Sequence, residues 1–423
     1  MFVFKFGGAS VKDAGAVQNV ASILARFPEK PILLVVSAMG KSTNLLEEIA
    51  HHISLGKKEE AQKGIQLFGS FHLKILNQLF PEKEHPVFAH YEEIMENLER
   101  KLEARFSENF HFEYDQLVSL GEVMSSRILD AFLRESGFRS SWLDARKLIR
   151  TDHQYRDANV DWNRTEQLIR DRCEQVYPET LIAVTQGFIG HTEEGFTTTL
   201  GREGSDYTAG IFAYCLNAEQ VTIWKDVPGM LNADPKFFKG TVKLDKISFK
   251  EAIELAYYGA SVIHPKTIKP LQNKNIPLYV RSFVNPDEEG TIIQSSPDFD
   301  QLVPSYIFKR RQILFSVMPK DFSFLVEENL SDIFRVLSTI GGKINMMQNS
   351  ALSFSFVLDQ EKTDIEELRK LFDQDYTVRF NKDLELLTIR HYDQKTIDRL
   401  TEQKELLVQQ KTRHTMRILM KDL

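Results

Sequence analysis

The sequence predicts an α/β fold, in which helices sandwich a mostly parallel sheet, followed by a smaller α+β region. Through the first 295 or so residues, short apolar runs alternate with helical patterns, and several of these runs end in loops rich in glycine and hydroxyl residues. After residue 309 the order strand, helix, strand, strand, helix, strand is that of a ferredoxin-like unit. We therefore place a first domain at 1–298, a linker at 299–308 and a second region at 309–423.

Composition limits the class of partner. The chain has 423 residues and a formal net charge of −7, which argues against nucleic acid and favours a small molecule. Cys173 and Cys215 lack metal-ligand spacing, and the N-terminus leads into a strand instead of a signal peptide. The longest apolar runs, such as Ile32–Val36, are too short to cross a bilayer. These features predict a cytoplasmic, soluble protein with no membrane partner.

The first two predicted strands end in similar loops. Phe2–Phe6 is followed by a glycine pair, so Lys5 lies at a strand end beside a turn, where it is either solvated or within reach of a phosphate. The buried strand 31–36 is followed by the small and hydroxyl residues of 37–43. Because parallel strands end at one edge of a sheet, this edge is predicted to carry N–H and OH donors.

Helical spacing dominates the next part of the chain. Apolar stripes between residues 57 and 106 indicate core or subunit packing. A further helix begins near Leu117 and carries Glu122 in its first turn, where an acid either favours the helix dipole or binds a ligand. A helix at 161–175 then leads into a short strand at 181–184.

The segment from Thr197 to Gly210 is predicted to lie between that strand and a helix over 209–216. Gly201 and Gly204 allow close approach of the backbone, Arg202 offers a planar fork for a carboxylate or phosphate, and Asp206 can orient a cation. A helix N-terminus also favours anions. An ordinary capped helix start with a surface ion pair is the alternative.

Strand 220–224 is followed by a loop rich in turn formers and acids, which suits a nucleotide and its metal. Further on we predict a helix at 249–258 and a strand at 276–280. In the second region the expected strands are 313–318, 352–358 and 385–390, and the expected helices 328–340 and 363–373. After Asp393 the sequence predicts one helix, 394–404, and two short strands near 405–410 and 414–420, so a second regulatory unit looks abbreviated.

Five segments, in this order, resemble the aspartate kinases of the amino acid kinase family. They are Lys5-Phe6-Gly7-Gly8-Ala9-Ser10, Ser37-Ala38-Met39-Gly40-Lys41-Ser42-Thr43-Asn44, Ser119-Leu120-Gly121-Glu122, Gly201-Arg202-Glu203-Gly204-Ser205-Asp206-Tyr207 and Trp224-Lys225-Asp226-Val227-Pro228-Gly229. The resemblance spans residues 1 to about 295, and the region after about 309 resembles the ACT regulatory modules of that family. It implies an amino acid kinase-like sandwich with a ferredoxin-like (ACT) region.

The resemblance also implies a reaction, namely phosphorylation of the side-chain carboxylate of L-aspartate by ATP with Mg²⁺. The product would be 4-phospho-L-aspartate, at the start of lysine, threonine and methionine biosynthesis. A carboxylate nucleophile is already ionised at neutral pH, so no general base is needed and catalysis reduces to positioning and charge neutralisation.

Site residues carry over from the resemblance position by position. Lys5 and Asp206 would be catalytic, with Arg202 on the α-carboxylate of aspartate and Glu122 on its ammonium. The full substrate-binding set is Ser37, Ala38, Thr43, Glu122, Arg202 and Ser205. The nucleotide set is Gly7, Gly8, Ser10, Lys225, Asp226, Leu231, Asp234 and Ser261. No separate protein metal site is expected.

Some positions depart from the pattern of the family. Lys225 stands where a threonine is common, Leu231 where a tyrosine is common, and Ser261 where a lysine often helps to hold the ATP phosphates. We hypothesise that Lys225 or Lys266 supplies the missing positive charge.

The regulatory region is expected to bind an effector amino acid, lysine or threonine, and to pair two chains into a homodimer. Asn345 stands where lysine-sensitive members usually have an aspartate, which weakens the expectation for lysine.

Two alternatives stay open at this point. The first is another amino-acid or carbamate kinase, such as an acetylglutamate or glutamate kinase, although Arg202 with Glu122 favours a free α-amino acid. The second is a catalytically weak amino-acid sensor, which Ser261 and Leu231 favour and which Lys5, Arg202 and Asp206 oppose.

Overall fold

The computed structural model describes residues 1–260, 263–300, 303–321 and 323–423, which form two compact units. The first unit comprises Met1–Met230, Lys243–Ile253 and Ser261–Asp300. The second comprises Leu231–Val242, Glu254–Ala260 and Gln301–Leu423. Each unit therefore draws on several separate stretches of the chain.

The elements up to residue 300 alternate between strands and helices. The strands are β1 (Phe2–Phe6), β2 (Ile32–Val36), β3 (Ser140–Leu143), β4 (Ile182–Gln186), β5 (Ile189–His191), β6 (Thr197–Thr199), β7 (Gln220–Lys225), β8 (Lys246–Ser248), β9 (Leu278–Ser282) and β10 (Thr291–Gln294). The helices are α1 (Ala14–Leu24), α2 (Ser42–Ser54), α3 (Lys58–Leu79), α4 (Val87–Glu103), α5 (Phe110–Val118), α6 (Leu120–Glu135), α7 (Trp162–Val176), α8 (Gly204–Leu216), α9 (Phe249–Tyr258) and α10 (Pro265–Asn273).

Eight of these strands form one sheet in the order β3-β4-β2-β1-β7-β9-β10-β8. The pairs from β3 to β9 are all parallel, and only the pair of β10 with β9 is antiparallel. The predicted mostly parallel sheet is thus confirmed. β5 and β6 form a separate antiparallel pair.

Burial on both faces explains why the central strands consist of unbroken apolar runs. All five residues of β2 and of β4 are buried, as expected for a parallel sheet that is covered by helices on both sides. The indole of Trp224, at the end of β7, stacks on the ring of Phe6 with ring centroids 5.8 Å apart. This contact packs the ends of β1 and β7 together.

The order of the strands brings three loops to one edge. β1 lies between β2 and β7, and Phe6 pairs in register with Val36 on one side and Trp224 on the other. The loops that follow these three strands therefore leave the sheet side by side, as the sequence predicted for the first two of them.

The second unit contains the remaining elements. They are β11 (Ser305–Pro319), α11 (Glu327–Thr339), β12 (Met346–Asn349), β13 (Phe354–Asp359), α12 (Ile365–Phe372), β14 (Tyr376–Arg390), α13 (Gln394–Leu400), β15 (Lys404–Lys411) and β16 (Thr415–Asp422). The predicted βαββαβ order is confirmed, and the helix and two strands expected after Asp393 are α13, β15 and β16. Strand β11 begins inside the stretch that was predicted as a linker.

One antiparallel sheet runs through this unit in the order β12-β13-β11-β14-β16-β15. The long strands β11 and β14 shift register near Lys309 and Gln312, where Arg311 has a positive φ of 52°. Such a bulge bends a strand and re-aims its side chains. One half of each long strand packs a core around Phe315 and Phe356, and the other half packs a core that includes Leu387 and Ile418.

Both cysteines, Cys173 and Cys215, are buried and form no disulfide. Burial raises the pKa of each thiol to about 12, so both remain protonated at neutral pH. Separately, none of the helices described here combines the length and the apolar character needed to cross a membrane.

Candidate active site

A cleft of about 620 Å³ opens in the first unit beside the loops that follow β1 and β2 and the start of α8. It collects ten of the sixteen residues that the sequence analysis proposed for the catalytic, substrate and nucleotide sets. These are Lys5, Gly8, Ser37, Ala38, Thr43, Glu122, Arg202, Ser205, Asp206 and Lys225. Residues more than 200 positions apart in the chain thus line one cavity.

Two lysines and one aspartate form the charged centre of the cleft. The Nζ of Lys5 lies 2.6 Å from Oδ1 of Asp206, and the Nζ of Lys225 lies 3.4 Å from Oδ2. Lys5 and Lys225 come from neighbouring parallel strands, in which Lys5 pairs with Ile223. Lys225 therefore stands two residues beyond that partner and on the same face of the sheet.

The neighbouring lysines determine the ionisation state of Asp206. Burial alone would raise the pKa of its carboxyl, but the positive charges of Lys5 and Lys225 outweigh burial and hold that pKa below its usual value. Asp206 is therefore an anion that orients two ammonium groups, and it is a poor proton acceptor at neutral pH.

Helix α8 carries Asp206 in its first turn and begins at Gly204, five residues earlier than predicted. Gly201 and Glu203 both have positive φ, 77° and 55°, so the chain turns through the left-handed region before the helix starts. At Gly204 a Cβ would lie 2.6 Å from the ring of Phe188. The sequence prediction missed these residues of the helix because glycine and polar residues disfavour a helix by propensity alone.

Gly8 joins the loops after β1 and β2. A Cβ at this position would lie 2.7 Å from the carbonyl oxygens of both Ala38 and Gly40, and the Gly40 N–H donates to the Gly8 carbonyl at 3.0 Å. Only glycine permits so close an approach. The contact fixes the distance between the Lys5 side of the cleft and the Ser37–Thr43 side.

Glu122 forms a separate, buried acidic position in the same cleft. Its side chain is 2% exposed, and the Ala38 N–H and the Thr43 hydroxyl each lie 3.4 Å from Oε1 as donors. Oε2 has no hydrogen-bond partner among the described residues. Burial raises the pKa of this carboxyl to about 8. A buried acid with a free oxygen is suited to bind a cationic group.

The sequence did not single out some residues that line the cleft, of which Arg156 and Tyr114 carry the most chemistry. The guanidinium of Arg156 lies 4.2 Å from the centre of the Tyr114 ring and donates to Oε1 of Glu47 at 2.9 Å. Its backbone, with φ of 71°, donates its N–H to the buried carboxylate of Asp115. A positive φ at a non-glycine residue leaves no local sequence signal, so this second arginine could only be found from the structure.

Six of the proposed nucleotide residues fall outside the lining of the cleft. Gly7 lies beside Lys5, where a Cβ would be 3.4 Å from Nζ, and the buried Ser10 hydroxyl donates to the Trp224 carbonyl at 3.4 Å. Asp226 is exposed. Leu231 and Asp234 belong to the second unit, and Ser261 lies outside the described residues.

The two lysines of our charge hypothesis differ in their partners. Lys225 pairs with Asp206 in the cleft, whereas Lys266 forms an ion pair with Asp157 on the surface. The geometry therefore favours Lys225 as the source of the extra positive charge.

In the part of the chain that the structure describes, no three His, Cys, Asp or Glu side chains are grouped to hold a metal ion. Mg²⁺ is commonly held by one or two carboxylates together with substrate phosphates. Asp206 is the carboxylate at the charged centre of the cleft and fits that mode of binding.

Comparison with known proteins identifies the family. The model of the amino acid kinase family matches residues 1–282. Lysine-sensitive aspartokinase 3 of Escherichia coli (strain K12) is 33% identical over 359 residues, which cover 84% of this chain and 78% of that protein. The chain belongs to the aspartokinases.

Solved aspartokinase structures agree over nearly the whole chain. The E. coli aspartokinase III complex with aspartate and ADP, in the R-state, superposes with a TM-score of 0.82 at 28% identity and covers 99% of this chain and 96% of that one. The complex of the same enzyme with lysine and aspartate, in the T-state, superposes with a TM-score of 0.82 at 29% identity and covers 99% of this chain and 95% of that one. The predicted kinase and ACT-type folds are both confirmed, and this aspartokinase is an enzyme, as predicted.

Proposed function

We propose that this aspartokinase transfers the γ-phosphoryl group of ATP to the side-chain carboxylate of L-aspartate and releases 4-phospho-L-aspartate. The reaction would open the route to lysine, threonine and methionine. The observation that carries the proposal is the cleft in which Lys5, Asp206 and Lys225 lie beside Arg202 and the buried Glu122. The E. coli enzyme, whose structure was solved with aspartate and ADP, supports the choice of substrates.

The cleft recognises the two charged ends of a free amino acid by separate groups. Arg202 is exposed at the mouth, and its planar guanidinium suits the α-carboxylate. The unpartnered oxygen of Glu122 suits the α-ammonium. An N-acetylated amino acid has no ammonium, so Glu122 would gain no cationic partner and its buried oxygen would stay without a hydrogen bond, which is costly.

The charged centre would act on the phosphoryl group. Lys5 and Lys225 stabilise the negative charge that develops on the transferred group, and Asp206 holds both ammonium groups in place. Backbone N–H groups of the Gly7–Gly8 turn would cradle the phosphates. Bound Mg²⁺ would supply further charge neutralisation, and Asp206 would help to hold it together with the phosphates.

We further propose that an effector amino acid, lysine or threonine, acts through the ACT-type unit, and that the unit pairs two chains into a homodimer. The E. coli enzyme in its T-state contains lysine, which supports an amino-acid effector. In this chain the side chain of Asn345 is already engaged, because Lys309 Nζ donates to Oδ1 at 2.8 Å and Nδ2 donates to Gln312 and Asp359. An effector ammonium would therefore need to displace Lys309 or bind elsewhere.

The test is ATP-dependent formation of an acyl phosphate, trapped as its hydroxamate with hydroxylamine. We expect product with aspartate and little with glutamate or acetylglutamate. Product with acetylglutamate and none with aspartate would reassign the substrate. Adding lysine or threonine separately should lower the rate with one of them, which identifies the effector. Absence of product with every substrate would contradict the proposal.

A further inference from the structure

A second cleft of about 440 Å³ lies in the first unit, on the outer side of α7, α8 and α10. It is separate from the kinase cleft and shares none of its lining residues. The lining includes Trp162, Tyr207, Tyr214, Lys266, Lys269 and Asn273. Its volume is within the range of small-molecule sites.

Close packing of two helices shapes the floor of this cleft. A Cβ at Gly210 would lie 3.0 Å from the Thr267 carbonyl oxygen and 3.2 Å from Cγ of Pro270, so α8 and α10 approach each other closely there. Tyr207 and Tyr214 lie three residues before and four residues after Gly210, on the same face of α8. The glycine brings the helices together, and the two tyrosines stand as walls on either side.

Trp162 completes an aromatic cluster. Its ring meets that of Tyr214 edge to face, with centroids 5.0 Å apart, and that of Tyr207 at 6.4 Å. All three rings are partly exposed. Partly exposed aromatic rings that surround a cavity offer stacking surfaces to a planar group.

The charged groups in the lining are all positive. Lys266 and Lys269 lie one turn apart on α10, and no acidic side chain lines the cleft among the residues that the structure describes. Lys266 pairs with Asp157, which lies outside the lining, whereas Lys269 is exposed and pairs with no acid among the described residues. The amide of Asn273 adds a neutral hydrogen-bonding group.

The walls of this second cleft are continuous in sequence with those of the kinase cleft. Tyr207 follows Asp206 directly in the first turn of α8, and Ala158 lies two residues after Arg156. The Ala158 N–H donates to the Thr199 carbonyl at 2.9 Å. Asp157, the partner of Lys266, lies so close to Gly201 that a Cβ there would overlap its carboxylate. A ligand in the second cleft would therefore contact the two segments, 156–158 and 206–207, that also contribute to the kinase cleft.

We propose that this cleft is a second ligand site for a planar aromatic anion and that its occupant modulates the kinase reaction. The ring stacks among Trp162, Tyr207 and Tyr214, and the anionic group pairs with Lys269. Aromatic carboxylates and nucleoside monophosphates share this chemistry. The site is independent of the ACT-type unit, because every residue of its lining lies in the first unit.

Binding can be followed through Trp162 in the full-length protein. Two anions, phenylacetate and AMP, are titrated beside their neutral counterparts, phenylacetamide and adenosine, with ADP and aspartate at saturation to fill the kinase cleft. We expect at least one anion to quench tryptophan fluorescence and its neutral counterpart to bind more weakly. Binding of phenylacetate would identify the ligand as an aromatic carboxylate, and binding of AMP would identify it as a nucleoside monophosphate. Trp162→Phe should abolish the quenching, and Trp142→Phe should leave it.

Lys269→Gln tests the anion contact. It should weaken binding, measured calorimetrically, by about tenfold, the loss that corresponds to one charge-assisted hydrogen bond. Lys74→Gln, which removes the same charge from an exposed position on α3, should leave affinity unchanged. In kinase assays the anion should change the KM for aspartate of the native enzyme but not that of Lys269→Gln, whose basal activity should be normal. No binding by either anion, equal binding of the neutral counterparts, or binding with no kinetic effect would overturn the proposal.

Discussion

Glu122, the proposed partner of the aspartate ammonium, should couple aspartate binding to pH, because its pKa of about 8 lies well above the ordinary value. A raised pKa in the folded state means that the group favours folding below its unfolded pKa and that this contribution is lost as pH rises through 8. A bound ammonium needs the ionised form instead. Aspartate binding below pH 8 should therefore release a proton.

We predict that affinity for aspartate rises by about tenfold per pH unit below pH 8 and levels off above it. Isothermal titration at pH 6, 7 and 8.5, in buffers of different ionisation enthalpy, measures both the affinity and the proton release. Glu122→Gln should abolish the proton release and raise the aspartate KM by about 10²-fold, the effect of losing one buried charged partner, while leaving the ATP KM nearly unchanged. A pH-independent affinity in the native enzyme would contradict this assignment.

Lys225 is predicted to provide part of the positive charge for the phosphoryl group, since its Nζ lies 3.4 Å from Asp206. Lys225→Met should raise the ATP KM by about tenfold, which corresponds to one charge-assisted contact, and Lys225→Arg should restore most of the loss. Lys266→Met serves as the matched control, because Lys266 pairs with Asp157 outside the cleft. Equal effects of Lys225→Met and Lys266→Met, or none from either, would contradict the prediction.

The sequence could predict Lys5, Asp206 and Glu122 because each lies at a strand end or in the first turn of a helix, where local pattern indicates position. It could not predict Arg156 or Tyr114 in the cleft. The packing of α5 places Tyr114 in the cleft. Arg156 reaches the cleft because its backbone has a positive φ and its N–H donates to the Asp115 carboxylate. Both depend on contacts between distant segments, which a single sequence does not display.

The fit of α8 against the end of β4 controls the position of Asp206. A Cβ at Gly187 would lie 2.5 Å from Cβ of Ser205 and 2.8 Å from its Cα, so a side chain there must push the first turn of the helix away. Gly187 adopts no positive φ, and any effect of substitution is therefore steric.

Gly187→Ala is expected to lower kcat at least tenfold and to destabilise the protein by about 1–3 kcal/mol, the usual cost of overpacking. Gly15→Ala, in the first turn of α1 where a Cβ meets nothing closer than 3.5 Å, should be neutral or slightly stabilising. Steady-state kinetics and thermal unfolding test the pair. Normal activity of Gly187→Ala would show that the start of α8 tolerates displacement.

Elements with long apolar runs were predictable, and short ones were not. β1, β2 and β7 and helix α9 lie within a residue of the predicted bounds. β3, β8 and β10 have only three or four residues each, too few for a periodic pattern to emerge. They pair at or near the ends of the sheet, where tertiary contacts decide the conformation.

The two compact units interleave along the chain. The segment Leu231–Val242 belongs to the second unit, where Phe238 packs on Tyr306 with centroids 5.2 Å apart and the Tyr306 N–H donates to the Asn232 carbonyl at 2.8 Å. The predicted division at 298 and 309 follows chain order. The sequence could not indicate that Leu231–Val242 belongs to the second unit, because its contacts with Tyr306 join positions about 70 residues apart.

This arrangement predicts that a substitution at Asn232 should change the KM for ATP but not the KM for aspartate. The side chain of the buried Asn232 accepts from the Val242 N–H at 2.8 Å and donates to the Pro304 carbonyl and the Tyr306 hydroxyl. Asn232→Ala should loosen the loop that carries Leu231 and Asp234 and should raise the ATP KM several-fold. It should also cost about 1–3 kcal/mol of stability.

The aspartate KM should not change in Asn232→Ala, because the residues proposed to bind aspartate all lie in the first unit. Asn163→Ala, at an exposed position on α7, is the control. A rise in the aspartate KM equal to that for ATP would indicate a general loss of structure, and an unchanged ATP KM would remove Leu231 and Asp234 from the nucleotide site.

The buried cysteines make the protein convenient for site-directed labelling. Since burial keeps Cys173 and Cys215 protonated and out of reach of reagents, maleimide dyes should leave the native chain unmodified until it unfolds. A single cysteine introduced at an exposed position, such as Lys269 or Asn163, would then take up one dye molecule without any prior removal of native thiols. The same property turns thiol titration into a direct count of unfolded chains.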